Sequence, residues 1–257
     1  MNTNRIPFLN TYIDNLTAKE AKSCVDQLIN TPGYHYVVTP NTDIIVKMQD
    51  DPKLLEVCNA ADLILTDGQI VVKLSKKLGT PIKERVAMTD FVWDVMDLAD
   101  EKGYKVFLFG GKEDVLAKAT SKIRVKYPNL NIIDSYSPPF GFEKNKEQIH
   151  KANIRIRNSG ADILIVFLGC PKQEKFIYKN KDKYHVPVSI TMGGCVDFIA
   201  GDVKRAPQWM QDKGLEWFYR FMQEPRRMFK RYFIDDVRIF GLARKYRQIV
   251  EGNGKSR

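Results

Sequence analysis

Asp67 stands between an apolar run, Leu63-Ile64-Leu65, and Gly68, which puts a carboxylate just past the end of a short strand. A carboxylate at that edge could act as a general base, drawing a proton from an attacking hydroxyl. The alternative is a helix N-cap ahead of Gly68-Gln69-Ile70-Val71-Val72, and spacing alone leaves the two open. Thr39 and Asn41, in Thr39-Pro40-Asn41, also follow a strand-like run and could orient a hydroxyl or phosphate, although Asn41 could equally cap its helix. Arg85 could neutralise phosphate through its two-pronged guanidinium, or it could pair with Glu84 or another acid. Gln173 lies in the first turn after Gly169-Cys170-Pro171 and could donate to a phosphate or a sugar hydroxyl. Cys170 invites a thiol mechanism, but no motif ties His35, His150 or His185 to it.

These residues need a scaffold that gathers strand ends. Apolar runs at 34–38, 63–65, 106–109, 132–133, 163–168 and 188–192 alternate with amphipathic stretches at 19–29, 42–48, 69–78, 89–102, 113–127, 146–158 and 174–181. The run Ile163-Leu164-Ile165-Val166-Phe167-Leu168 lacks polar alternation, as expected of a strand covered on both faces. This rhythm predicts an α/β fold with an open, doubly wound, mainly parallel, Rossmann-like sheet. Polar and small residues recur past the predicted strands: Thr39, Asp67, Gly110-Gly111, Gly169 and Gly193-Gly194. Ligands bind at that edge of such sheets, and glycines there let backbone N–H groups approach phosphates. Neither a Gly-x-Gly-x-x-Gly fingerprint nor a Walker-type loop is present, which argues against a nicotinamide oxidoreductase.

The 257-residue chain carries a formal charge of +10, unevenly spread. Residues 202–257 hold 14 Lys/Arg against 7 Asp/Glu, and 10 of the 28 aromatics. This divides the chain into an α/β catalytic domain, 1–201, and a helical, basic and aromatic C-terminal appendage, 202–257. After Pro225, the residues Met228, Phe229, Tyr232, Phe233, Val237 and Phe240 recur at helical spacing, with Arg227, Lys230, Arg231 and Arg238 mostly on other faces. Such a helix suits an anionic membrane surface, with packing on the body as the alternative. Arg220, Arg226, Arg227 and Arg231 could close around a lipid diphosphate. The nearly neutral first 201 residues and the lack of a recognised motif exclude nucleic acid as the expected partner. No apolar run approaches the ~20 residues needed to span a bilayer, and Met1-Asn2-Thr3-Asn4-Arg5 does not read as a signal peptide, so the expected location is cytoplasmic. The dispersed cysteines (Cys24, Cys58, Cys170, Cys195) imply no disulfide framework, and the absence of Asp-x-Asp, His-x-x-x-His or Cys/His clusters predicts a metal-free site without cofactor.

Several stretches, taken in order, resemble the WecG/TagA/CpsF glycosyltransferases (family 26) of bacterial surface-polymer synthesis. They are Thr39-Pro40-Asn41, Ala61-Asp62-Leu63-Ile64-Leu65-Thr66-Asp67-Gly68, Glu84-Arg85-Val86, Gly169-Cys170-Pro171-Lys172-Gln173-Glu174-Lys175 and Gly193-Gly194-Cys195-Val196-Asp197. Ala200-Gly201-Asp202-Val203-Lys204-Arg205-Ala206-Pro207, Gly214-Leu215-Glu216-Trp217-Phe218-Tyr219-Arg220 and Gln223-Glu224-Pro225-Arg226-Arg227 continue the match. The resemblance implies a metal-independent, inverting transfer of an N-acetylmannosamine-type sugar from a UDP donor, which is substrate rather than cofactor. The implied acceptor is a polyprenyl-diphosphate-linked N-acetylglucosamine at the inner face of the cell membrane, in teichoic acid-like polymer synthesis. A related transfer in capsule or exopolysaccharide synthesis, with another UDP-sugar or lipid-linked acceptor, stays open. Asp67 matches the family's base, and Thr39, Asn41, Arg85 and Gln173 its polar pocket. Asp197, Gly193 and Gly194 fall where the nucleotide is held, with Gly169, Gly110 and Gly111 beside them. Self-association is a further expectation, since family members can self-associate and the tail has an apolar face.

Overall fold

The computed structural model describes residues 4–254, apart from the side chains of Asp212, Arg227 and 248–254. Its strands are β1 (Arg5–Phe8), β2 (Thr11–Asp14), β3 (His35–Val38), β4 (Leu63–Ile64), β5 (Val106–Gly110), β6 (Ile132–Tyr136), β7 (Ile163–Phe167) and β8 (Val188–Thr191). Its helices are α1 (Ala18–Ile29), α2 (Thr42–Asp50), α3 (Pro52–Asn59), α4 (Gln69–Lys77), α5 (Met88–Lys102), α6 (Glu113–Lys126) and α7 (Lys146–Ser159), then α8 (Lys172–Tyr184), α9 (Cys195–Ala200), α10 (Gln208–Asp212), α11 (Glu216–Gln223), α12 (Pro225–Lys230) and α13 (Arg238–Gly254).

Six strands form one sheet in the order β4-β3-β8-β7-β5-β6, with every pair parallel. Parallel strands need crossovers, and the helices return over both faces, so each strand is apolar on both sides. One face packs Val37, Leu108, Ile165 and Ile190 under α1, α5, α6 and α9. The other packs Tyr36, Phe109, Leu164 and Val166 under α2, α3, α7 and α8. The predicted doubly wound sheet is therefore present.

Local chemistry fixes several helix starts. Thr17 and Glu20 form a reciprocal capping box for α1: the Glu20 N–H donates to Thr17 Oγ1 at 3.2 Å and the Thr17 N–H to Glu20 Oε2 at 2.7 Å. Asp51 caps α3, whose first residue is Pro52.

The β1–β2 hairpin is not anticipated by the sequence reading. Its Asp14 takes both prongs of Arg5 at 2.9 Å and accepts the Ile64 N–H at 2.7 Å, which docks the hairpin beside edge strand β4. Behind it, Phe8 and Ile13 share a third, smaller core with Ile45, Val46, Val71, Leu74, Ile82 and, from α13, Ile239 and Ala243. Arg238 adds a two-pronged pair to Asp50 at 2.7 and 2.8 Å. One face of the basic, aromatic tail thus packs on the body, while Phe229, Phe233, Val237 and Phe240 stay about half exposed. Among the described residues, no helix is long and apolar enough to cross a membrane.

Ile239 is fully buried where α13 meets the body. Ile239→Ala should therefore lower unfolding stability by roughly 2–4 kcal/mol, measured by urea titration. A surface truncation such as Phe240→Ala should change it far less.

Candidate active site

The carboxyl ends of β3, β4, β7 and β8 open into two adjoining cavities. One, of about 380 Å³, is lined at its base by Thr39, Gly169, Gln173, Gly193 and Gly194. The other, of about 340 Å³, runs between α4 and the appendage and is lined by Ile70, Phe198, Trp217, Tyr219, Tyr232 and Phe233. Asn41, Asp67, Thr89, Phe198, Arg220 and Arg231 line both, so these residues form the junction.

Asp67 is not the helix cap. Gly68 occupies the N-cap of α4, without a side-chain cap bond, and the Asp67 carboxylate turns instead to Arg85. Arg85 Nε and Nη2 donate to Asp67 Oδ1 at 3.2 and 3.1 Å, and Nε also donates to the Asp67 carbonyl at 3.2 Å. The arginine's remaining reach goes to an acid from the appendage: Nη1 and Nη2 donate to Glu216 Oε2 at 3.1 and 3.0 Å. Arg205 approaches Glu216 Oε1 at 3.5 Å and pairs with Asp90 through both prongs. The side chains of Asp67 and Arg85 are each 24% exposed. Burial pushes the Asp67 carboxyl above the usual carboxylate range; Arg85 opposes the rise, and the nearby Glu216 charge adds to it. A base with somewhat raised proton affinity, open to a cavity, is suited to taking a proton from a hydroxyl.

The other predicted residues divide. Thr39 is buried and ties β3 to β8, donating to the Thr191 carbonyl at 3.1 Å. Asn41 caps α2 through Oδ1, which accepts from the Ile44 N–H at 3.1 Å, and lines both cavities as well. Gln173 is buried beneath the Gly193-Gly194 turn. Its Oε1 accepts the Gly193 N–H at 3.0 Å while its Nε2 donates to Glu174 Oε1 at 2.9 Å, so it holds the turn in shape. Gly193 has φ +49°, a left-handed conformation that glycine adopts without strain. Asp197 lies near Gly194 and Arg220 at the start of α9, beside the cavity lining.

Gly110 and Gly111 do not line either cavity. A Cβ on Gly110 would sit 2.9 Å from the Phe167 carbonyl carbon, at φ +102°, so this glycine serves close packing of β5 against β7. Arg220 and Arg231 are brought to the junction, whereas Arg226 is exposed outside it, and the Arg227 side chain lies outside the described residues. Cys170 and Cys195 line the first cavity, but burial holds both thiols above the ordinary range and so protonated. That is the wrong state for a nucleophile.

Sequence reasoning missed Glu216 as a site residue. Its one signal is a lone acid within Gly214-Leu215-Glu216-Trp217, in an otherwise basic and aromatic stretch.

The model of the glycosyl transferase WecG/TagA/CpsF family matches residues 6–252. The chain belongs to this family. It is 33% identical over 222 residues (86% of this chain, 83% of the relative) to the N-acetylglucosaminyldiphosphoundecaprenol N-acetyl-beta-D-mannosaminyltransferase of Bacillus subtilis (strain 168). It is 34% identical over 192 residues (75% and 72%) to the protein of that name from Bacillus spizizenii (strain ATCC 23059 / NRRL B-14472 / W23). The chain is thus a glycosyltransferase.

Asp236 lines the aromatic cavity. It is 6% exposed beside Arg231, and burial raises its carboxyl to about 6. A carboxyl raised on folding takes up protons more readily in the folded than in the unfolded chain. Stability therefore falls as pH rises from about 4 to 6 and stays lower above that range. Asp236→Asn should raise the melting temperature at pH 7, by an amount equivalent to roughly 1–3 kcal/mol, and leave it nearly unchanged at pH 4.

Proposed function

We propose that this glycosyltransferase moves an N-acetylmannosamine-type sugar from a UDP donor to a polyprenyl-diphosphate-linked N-acetylglucosamine, in a teichoic acid-like cell-surface polymer pathway. The observation that carries the reading is the position of Asp67 at the junction of the two cavities, one polar and glycine-turned, the other aromatic.

In this reading the donor diphosphate lies along Gly169 and the Gly193-Gly194 turn, which Gln173 braces through the Gly193 N–H and whose missing side chains let phosphates approach the backbone. The acceptor sugar enters from the aromatic cavity with a hydroxyl against Asp67. The Asp67 carboxylate takes the hydroxyl proton as the oxygen attacks the anomeric carbon from the face opposite the diphosphate. The bond to the β-phosphate oxygen breaks and UDP leaves with the electron pair. One displacement inverts the anomeric centre and needs no enzyme nucleophile, which agrees with the protonated thiols. Arg220 and Arg231, which line both cavities, can offset the growing phosphate charge. Among the described residues no group of three or more His, Cys, Asp or Glu side chains is placed to hold a metal ion.

The appendage supports a lipid-linked acceptor. Trp217 and Phe233 line the aromatic cavity and are also exposed, and Phe218, Met222, Phe229 and Phe240 extend the exposed apolar surface around them. A cationic, aromatic rim of this kind favours anionic lipid, which would seat the enzyme peripherally on the membrane face bearing its acceptor.

With UDP-N-acetylmannosamine and a short-chain lipid-diphosphate N-acetylglucosamine, the wild type should release UDP in an acceptor-dependent manner without added metal. Asp67→Asn should lose at least about 100-fold in kcat while still binding UDP by calorimetry; equal turnover in the variant would remove Asp67 from the chemistry. In co-sedimentation, the wild type should bind phosphatidylglycerol vesicles more than neutral ones. That binding should weaken with salt and fall in a Phe229→Ser/Phe240→Ser double variant; indifference to lipid charge would contradict the membrane role.

A further inference from the structure

Arg85 stands between two carboxylates of different origin. Asp67 follows β4 in the body; Glu216 opens α11 in the appendage, 131 positions beyond Arg85. A guanidinium closing side-on upon one carboxylate gives each of two N–H donors its own oxygen. Here Arg85 touches Asp67 through Oδ1 alone, using Nε and Nη2, and Nη2 is shared with Glu216 Oε2, which also takes Nη1. Glu216 is anchored from behind by Arg205, itself paired to Asp90 on α5.

We propose that Glu216 is a positioning residue: by taking two of the N–H donors of Arg85 it keeps the guanidinium from closing on Asp67, and so sets how strongly Asp67 draws a proton. The chemical half of this inference rests on the reading of Asp67 as the base; the electrostatic half does not.

The charged and titratable groups facing Asp67 give the sign. Arg85 from the loop before α5 favours the ionised carboxylate, as does the Met88 backbone N–H; Arg220 and Arg205 act on the neighbouring Cys195 thiol. Glu216 disfavours the ionised carboxylate, and the Cys195 thiol of α9 is neutral. Across the aromatic cavity, Lys204 and Arg231 oppose Asp236. Replacing Glu216 by a neutral residue removes the nearest negative charge and releases two donors of Arg85. Both changes pull Asp67 toward the ionised form and make it a weaker base. A purely structural Glu216 would loosen the appendage without moving the titration of Asp67 in a fixed direction.

The test is carbon NMR of protein labelled at the aspartate carboxyl carbon, with Asp67→Asn assigning the Asp67 signal. The wild type is compared with Glu216→Gln, and with Glu216→Leu as a second neutral variant should the first fold poorly by circular dichroism. The expected result is a titration midpoint of Asp67 at lower pH in the neutral variants than in the wild type. In acceptor-dependent transfer, the acid limb of the kcat profile should move the same way. Plateau kcat should fall by about three- to tenfold, with donor KM changed less than about twofold. An unchanged or higher Asp67 midpoint in a folded neutral variant overturns the proposal. If the wild type transfers no sugar, the base reading fails separately, and the NMR titration still decides what Glu216 does to Asp67.

Discussion

The arrangement of the active site depends on one guanidinium shared by two carboxylates. Arg85 joins the strand-end acid Asp67 to Glu216, and Glu216 in turn meets Arg205 and Asp90. Exposed ion pairs contribute little to stability, as at the half-exposed Asp90, but Asp67, Arg85 and Glu216 are mostly withdrawn from water, where charge interactions strengthen and unpaired members become costly. Its more important effect is geometric. The body cannot complete the surroundings of Asp67 without α11, so the appendage that carries the aromatic surface also finishes the wall around the proposed base.

The rest of the fold can be understood as support for that junction. The all-parallel sheet brings the ends of β3, β4, β7 and β8 to one edge, and the crossover helices cover both faces so that only this edge is free for ligand. The hairpin and α13, distant in sequence, share a small core with α2 and α4, the helices that follow Asn41 and Asp67. Tail packing and site geometry are therefore mechanically connected. The opposite face of the tail carries the exposed Phe229, Phe233, Val237 and Phe240.

Much of this was legible in the sequence, for identifiable reasons. The core strands are apolar without alternation, so their doubly covered environment showed directly in Ile163–Phe167. Asp67, Thr39 and Asn41 were legible because each follows such a run and enters a helix. Gly110 and Gly111 shared the same pattern and reach neither cavity, because a glycine demanded by backbone packing looks identical in sequence to one demanded by a phosphate. The hairpin escaped notice since its strands are four residues each and rely on Asp14 docking against Ile64. Glu216 stood in a motif of the resemblance but was not singled out as a site residue, because its partner lies 131 positions away, a relation that only the fold creates.

The most direct test of the central claim is a crystal structure of the enzyme with UDP and a non-transferable acceptor analogue bound together. The account predicts the diphosphate along Gly169 and the Gly193-Gly194 turn, the acceptor sugar against Trp217 and Tyr232, and its reacting hydroxyl within hydrogen-bond reach, about 2.6–3.2 Å, of the Asp67 carboxylate. A nucleotide lodged in the aromatic cavity, or an acceptor hydroxyl held away from Asp67 by Arg85, would contradict it.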